Sequence, residues 1–251
     1  MLIDILADST GVANEYKVIE NSVQTFADNM NEFNGMIGER QVGCPLVVHR
    51  RCIEPMFSIS NMISYDNRMF NKTNKKEDYL KQEQPFLIKK SGWINVEGTE
   101  NGSKDHFVKN QAERVCQLLE SALHIYTDLF DTDDKIFIIT PFRTVAESMR
   151  KFVVGYFSAK GNDKEVLKKW TKKCVGTVHT FQGKDANEVI FVLGCSDKSV
   201  GAMNWVVKKA NILNVACTRA KYRIAFIGNL NDWKLSLIHI SAPTRQEAIS
   251  Y

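Results

Sequence analysis

Three observations predict an α/β fold built on a mainly parallel sheet with helices on both faces. Short apolar runs such as Ile136-Phe137-Ile138-Ile139 stand between turn signals, as strands buried on both faces do. Other stretches carry apolar residues at helical spacing, for instance Val115, Leu118, Leu119 and Ala122. The two kinds alternate along the chain, and alternation implies a parallel sheet covered on both sides. The length of 251 residues, 44% of them hydrophobic, suits one large domain or two small ones with a sizeable core. A charged share of 25%, with 14 Gly and 5 Pro, excludes collagen-like, low-complexity and disordered chains.

In chain order, a helix is expected over 22–33, with Ser22 as its N-cap and Val23, Phe26, Ala27, Met30 and Phe33 on one inward stripe. A strand over 46–49 follows Pro45. A helix then carries Met56, Ile59, Ile63 and Tyr65, with Pro55 in its first turn, where a missing N–H costs nothing. The lysine-rich stretch 71–84 reads as an exposed loop, and 86–88 and 93–96 as strands. The helix after His106 aligns Val115, Leu118, Leu119, Ala122 and Tyr126. After the strand 136–139, Thr144 and Glu147 have the T-x-x-E spacing of a capping box for a helix burying Val145, Met149, Phe152 and Val153. A second buried strand pair, 174–178 and 189–193, flanks the loop 179–187. A helix over 210–218 and a last strand over 224–227 complete the pattern. No repeat or Pro/Gly/Ser linker divides the chain.

Composition narrows the function classes. The six cysteines, at 44, 52, 116, 174, 195 and 217, contain no C-x-x-C pair, so they have the spacing of neither a zinc site nor a disulfide framework and read as reduced, mostly buried thiols. No metal site is expected. No apolar run approaches the length of a membrane span and the acidic start is no signal peptide, so the expected compartment is cytoplasmic. The net charge of +4 is too small to identify a polyanion partner alone. Its placement is more informative: Lys164, Lys168, Lys169, Lys172 and Lys173 surround Trp170, with Glu165 the one acid in the stretch. Two readings stand, a grip on a nucleic-acid backbone with Trp170 stacked on a base, and a solvated helix face with Trp170 buried.

Four stretches carry chemistry. They are His49-Arg50-Arg51-Cys52 with Pro55-Met56-Phe57 and Ile59-Ser60-Asn61; Thr140-Pro141-Phe142-Arg143; Thr177-Val178-His179-Thr180-Phe181-Gln182-Gly183-Lys184-Asp185; and Asn214-Val215-Ala216-Cys217-Thr218-Arg219-Ala220-Lys221. In order, spacing and context they resemble the second RecA-like domain of a superfamily 1 helicase, in the branch of the nonsense-mediated-decay helicases and their bacterial relatives. The resemblance spans roughly 22–233 and implies a three-layer fold of the P-loop NTPase type that lacks its own phosphate-binding loop.

The resemblance also implies roles. Arg219, near a helix end, resembles an arginine finger, a rigid guanidinium reaching across a cleft to offset charge on a transferring phosphoryl group. Arg51 resembles a second γ-phosphate-sensing arginine; without the motif, either reads as a surface ion pair. Gln182 is implied near the γ-phosphate, with Gly183 permitting close backbone approach and Asp185 near the sugar, where the family usually has Glu. Thr177 and His179 are implied to face the nucleic-acid backbone, so one loop touches both ligands; His179 reads equally as a loop cap. Thr140 and Arg143, at a strand's carboxyl end, suit nucleic-acid phosphate, or else an ordinary strand end before a capped helix.

A complete helicase also needs G-x-x-x-x-G-K-[ST] and an acidic strand end for Mg²⁺, and neither occurs here. In the family both lie upstream. Met1 is therefore expected to begin partway through a longer protein, with 1–235 as its second motor domain. ATP and Mg²⁺ are expected to be held mainly by an upstream RecA-like domain, and the chain alone to be inactive as an ATP hydrolase. The stretch 236–251 reads as a non-native or disordered tail resembling translated sequencing-adapter read-through, or as a genuine extension. The expected partner is single-stranded DNA or RNA. The rival readings are a non-catalytic nucleic-acid-binding module and a nuclease or defence protein with a helicase core.

Overall fold

The computed structural model describes residues 23–37, 40–44, 46–73, 86–100, 102 and 105–234. A short N-terminal part comprises α1 (Val23–Asn29), the antiparallel hairpin β1 (Gly35–Ile37) and β2 (Arg40–Val42), β3 (Val48–His49), α2 (Met56–Ser64) and β4 (Phe70–Asn71), with β3 and β4 paired in parallel. The larger part runs β5 (Gly92–Asn95), α3 (Lys109–Leu123), β6 (Ile136–Thr140), α4 (Arg143–Ser158), α5 (Lys164–Cys174), β7 (Val175–Thr177), β8 (Ala186–Val192), α6 (Val200–Lys208), α7 (Ala210–Arg219) and β9 (Ala220–Gly228).

Five of these strands form one all-parallel sheet in the order β5-β9-β8-β6-β7. Right-handed crossovers dictate where the helices lie. The steps from β5 to β6 and from β6 to β7 run one way across the sheet, so α3, α4 and α5 share a face. The step from β8 to β9 runs the other way and puts α6 and α7 on the opposite face. Packing agrees: α4 lies against α3 and α5, and α7 against α2. The expected three-layer α/β architecture is thus present. Its core centres on β6, wholly buried from Ile136 to Thr140, and on β8, where Val189 and Ile190 are fully enclosed.

Several local expectations are corrected. The helix α1 keeps only seven residues, and Val23, Ala27, Met30 and Phe33 face solvent. Among its described side chains the buried one is Asp28, whose Oδ1 accepts from Gly43 N–H at 2.9 Å and Gln24 Nε2 at 2.8 Å. Ser22 and the side chain of Phe26 lie outside the described residues, as do 74–84 and the expected tail 236–251. The strand expected over 46–49 shrinks to Val48–His49, because β4 offers two residues to pair with. Pro55 occupies the cap position just before α2. The stretch 86–88 is not a strand: the N–H groups of Leu87 and Ile88 donate to the Glu188 carboxylate at 2.9 and 2.6 Å.

The capping box does not form. Helix α4 starts at Arg143, so Thr144 lies inside its first turn and its hydroxyl donates to the Asp105 carbonyl at 2.7 Å, while Glu147 pairs with Arg143 at 2.9 Å. Asp163 caps α5 instead, accepting from the N–H groups of Glu165 and Val166 at 2.8 and 2.9 Å. That helix settles the basic run: Trp170 is buried edge-on against Phe130, while Lys168 and Lys173 pair with Glu165 and Asp133. The solvated-face reading holds, and Trp170 is not presented to a base. Helix α6 has no counterpart in the predicted elements, and β9 is nine residues long, starting at Ala220. Five cysteines are buried, Cys44 is exposed, and none is in a disulfide. No helix among the described residues is long and apolar enough to cross a membrane.

Candidate functional site

Strands β7 and β8 are not neighbours, because β6 lies between them. The connection from Thr177 to Ala186 must therefore pass β6 and return to the opposite edge of the sheet, where β8 begins. This crossing organises the site. Thr177 ends β7 in register with Thr140, the last residue of β6, so both sit at the carboxyl edge. Asp185 directly precedes Ala186, which pairs with Ala220, and Arg219 directly precedes Ala220. The register alone thus brings Asp185 and Arg219 together at the amino edge.

The local sequence fixes the path. A turn of 3₁₀ helix over Val178–Phe181 ends with Phe181 fully buried on Phe137, ring centroids 4.4 Å apart. Gly183 then turns the chain with φ +87°, a left-handed conformation that costs a side-chain-bearing residue energy. Among the described residues, no heavy atom beyond its own chain neighbours lies within 4 Å of where a Cβ would stand, so its backbone faces open space. His179, Gln182 and Gly183 are exposed, and the Thr177 and Thr180 hydroxyls are 3.2 Å apart.

Arg219 is the hub of the amino edge. It is 6% exposed, yet its guanidinium lies against the loop. Nη1 donates to the carbonyls of Phe181 at 3.2 Å and Lys184 at 3.0 Å, Nε to the Val215 carbonyl at 3.3 Å, and Nη2 to the Thr218 hydroxyl at 3.1 Å. Four of the five N–H groups of the fork are thereby engaged within the chain. Burial first, then the charge of Arg51, loosens its hold on its proton, while Asp185 opposes the shift. Asp185 itself pairs with Lys221 at 2.7 Å. The segment carrying Arg51 is held alongside by the Ile53 N–H, which donates to the Lys221 carbonyl at 3.3 Å.

At the carboxyl edge Thr140 is buried and its hydroxyl accepts from the Phe142 N–H at 3.4 Å, shaping the turn into α4. Arg143 is largely exposed and held by Glu147. A cavity of about 710 Å³ opens beside the crossing loop, lined by His179 and Gln182 of that loop and by Trp205, Lys208 and Lys209 among others. Arg51, Gly183, Asp185 and Arg219 therefore form one group and Thr140, Arg143 and Thr177 another, with His179 and Gln182 on the segment joining them.

A family profile described as an AAA domain, AAA_12, matches residues 29–231. The chain belongs to that family. It is the C-terminal RecA-like domain of superfamily 1 helicases, and membership implies an ATP site.

Within this helicase domain, polar residues of the quoted motifs act as clamps that sequence reasoning did not assign. His49 is buried and its Nε2 accepts from the Cys52 N–H at 3.0 Å, closing the turn that displays Arg50 and Arg51. Ser60 donates to the Asn214 side chain and so ties α2 to α7. Asn61 exchanges two hydrogen bonds with the Met69 backbone, at 3.0 and 3.1 Å. Replacing His49 with alanine removes the side-chain acceptor of the buried Cys52 N–H and is expected to cost about 1–3 kcal/mol. Chemical denaturation checks this; an unchanged midpoint would mean that the turn is held by other contacts.

Among the described residues one cluster has metal-ligand residue types: Glu100, His106 and Cys195. Both Glu100 oxygens already accept, from the Ser196 N–H at 2.8 Å and the Ser199 hydroxyl at 2.9 Å. Burial, then Glu100, pushes the Cys195 thiol upward, so its neutral form is favoured. Gly194 and Cys195 both have positive φ, held by bonds from Gly194 N–H to Gln111 at 2.9 Å and from Cys195 N–H to the His106 carbonyl at 2.9 Å. The cluster works as a brace that fixes Ser199, the residue before α6.

Proposed function

We propose that this chain is the second motor domain of an ATP-dependent helicase or translocase acting on single-stranded nucleic acid, completing a nucleotide site whose phosphate loop and Mg²⁺ ligands belong to another RecA-like domain. The observation that carries the reading is the contact of Arg219 with both ends of the Phe181–Lys184 loop. In this reading Arg219 and Arg51 offset charge on the transferring phosphoryl group, Gln182 lies by the terminal phosphate, and Gly183 and Asp185 line the nucleotide. The open space at Gly183 suits close approach by a ligand. Thr177, His179 and Arg143 contact the nucleic-acid backbone, with Thr140 shaping the turn that presents Arg143.

The geometry suggests how the two ligands are coupled. A bidentate grip on phosphate needs two N–H groups, and the fork of Arg219 has one left among the described residues. Engaging phosphate therefore means releasing at least one in-chain acceptor, the Phe181 and Lys184 carbonyls among them. The freed loop is continuous with His179 and Thr177, so phosphate capture and loss act on the nucleic-acid side through one segment. The rival binding-module reading draws on the same fact, since an arginine so engaged also serves as a plain structural clamp.

The chain alone is expected to bind a single-stranded oligonucleotide with affinity that falls as salt rises, and to show no ATP turnover above background. Nucleic-acid-stimulated ATP hydrolysis by the purified 251-residue chain would overturn the shared-site reading. The domain is taken as 1–235, with 236–251 dispensable.

A further inference from the structure

We propose that Trp205, with Lys208 and Lys209, forms a stacking subsite for a base of single-stranded nucleic acid, placed between the Thr140–Arg143 turn and the His179–Gln182 segment. It rests on the reading of the chain as a nucleic-acid motor domain and adds a contact that none of the four motifs contains.

Exposure singles Trp205 out. Trp170 and Trp233 are 3% and 4% exposed, and Trp93 is half-buried with its Nε1 donating to the Gly228 carbonyl at 3.0 Å. Trp205 is 42% exposed. A helix that needed only core packing would have no use for a large ring at this place. The ring lies 6.1 Å from that of Phe142, which in turn sits 4.7 Å from His106, so a row of rings leads from the β6 turn to the cavity.

Charge selects the occupant. The cavity that Trp205 lines also holds Lys208, Lys209, His179 and Gln182, and among the described residues no carboxylate lines it. Such a cleft, one accessible ring among cations, suits an anion that has a flat apolar face, which is a nucleotide unit. Trp205 and Lys208 are three apart on α6 and share a face, and the break between α6 and α7 at Lys209 folds that lysine back over the ring. In the free chain the Lys209 ammonium stands 4.7 Å from the Trp205 ring centre. A cation over an exposed ring contributes less than a stacked base does, so a base displaces it and the lysine moves to the adjoining phosphate. The Glu100–Ser199 brace gives α6 a fixed start, which keeps the platform in place.

The test uses the 251-residue chain and a fluorescein-labelled oligodeoxythymidylate of about 15 nucleotides, a length covering one binding groove. Binding is expected to quench the intrinsic fluorescence of the wild-type chain. Trp205→Ala is expected to weaken binding on the order of 10- to 100-fold without changing its salt slope, since no phosphate contact is lost. Trp205→Phe, which keeps a ring, is expected to stay within about 3-fold. Lys208→Ala with Lys209→Ala is expected to flatten the slope of log affinity against log salt by about 1.4. Melting curves check that the variants are folded; if Trp205→Ala is not, the quench in the wild-type chain decides. No binding by the wild-type chain to this probe or to an oligouridylate of the same length would sink the nucleic-acid reading as a whole. Binding without quench, and equal for Trp205→Ala, would remove this subsite and leave that reading standing.

Discussion

Replacing Arg219 with alanine, in a protein that joins this chain to a phosphate-loop domain, is expected to lower ATP hydrolysis by about 10²-fold or more. Oligonucleotide binding at low salt is expected to stay nearly unchanged. The loss follows from removing a guanidinium that offsets charge in the transition state while the other domain still holds the nucleotide. Lysine should rescue poorly, because a point charge can neither form the planar fork nor span the Phe181 and Lys184 carbonyls. Arg51→Ala is expected to have a similar catalytic effect, and it keeps the Arg219 guanidinium that donates to those two carbonyls. Single-turnover hydrolysis and oligonucleotide titrations on the same preparations separate the possibilities. If Arg219→Ala kept hydrolysis and abolished nucleic-acid binding, the arginine would be a clamp in a binding module.

What could be read in the chain beforehand followed from short-range pattern. Ile136–Thr140 declares itself because a strand buried on both faces needs an unbroken apolar run, and α3 because one helical stripe survives for four turns. Where competition among polar partners decides, pattern fails. Thr144 and Glu147 have capping-box spacing, but Arg143 and the Asp105 carbonyl claim them. Leu87 and Ile88 look like strand residues, yet a carboxylate from the middle of β8 takes their N–H groups.

The candidate site divides in the same way. Its residue types were legible from the motifs, whereas the closeness of Asp185 and Arg219 was not, since it depends on the Ala186–Ala220 register of strands separated by two helices. The lysine run around Trp170 admits both a stacking ring and a buried one, and the ring proves to be a core residue. The spacing of Trp205 from Lys208 and Lys209, three and four positions on, was present but lay in a stretch with no predicted element.

The largest stability effect is expected at Glu188, which lies inside the sheet with no exposure. Three donors converge on its carboxylate: Leu87 N–H at 2.9 Å, Ile88 N–H at 2.6 Å and the Tyr126 hydroxyl at 2.8 Å. Tyr126 stays a donor, because burial and then the neighbouring carboxylate push its phenol upward. Glu188→Ala leaves these groups without their acceptor, at about 1–3 kcal/mol for each one buried, so a loss of about 3–5 kcal/mol is expected. At about 2–4 °C per kcal/mol for a chain of this size, Tm should fall on the order of 10 °C. Glu188→Gln keeps one acceptor oxygen and the volume, and should fall between. The pH dependence has a definite sign. Burial raises the Glu188 pKa more than its hydrogen bonds lower it. Between the ordinary glutamate range and that raised value, the folded chain holds a proton that the unfolded chain has released. Its contribution is therefore fully present below the unfolded pKa and is lost as pH rises through the folded pKa. The wild-type minus Gln difference in unfolding free energy, measured by denaturant titration across that window, should decline with rising pH. A flat difference, or a Glu188→Ala variant that melts with the wild type, would mean that the 86–88 segment and Tyr126 are held by packing alone.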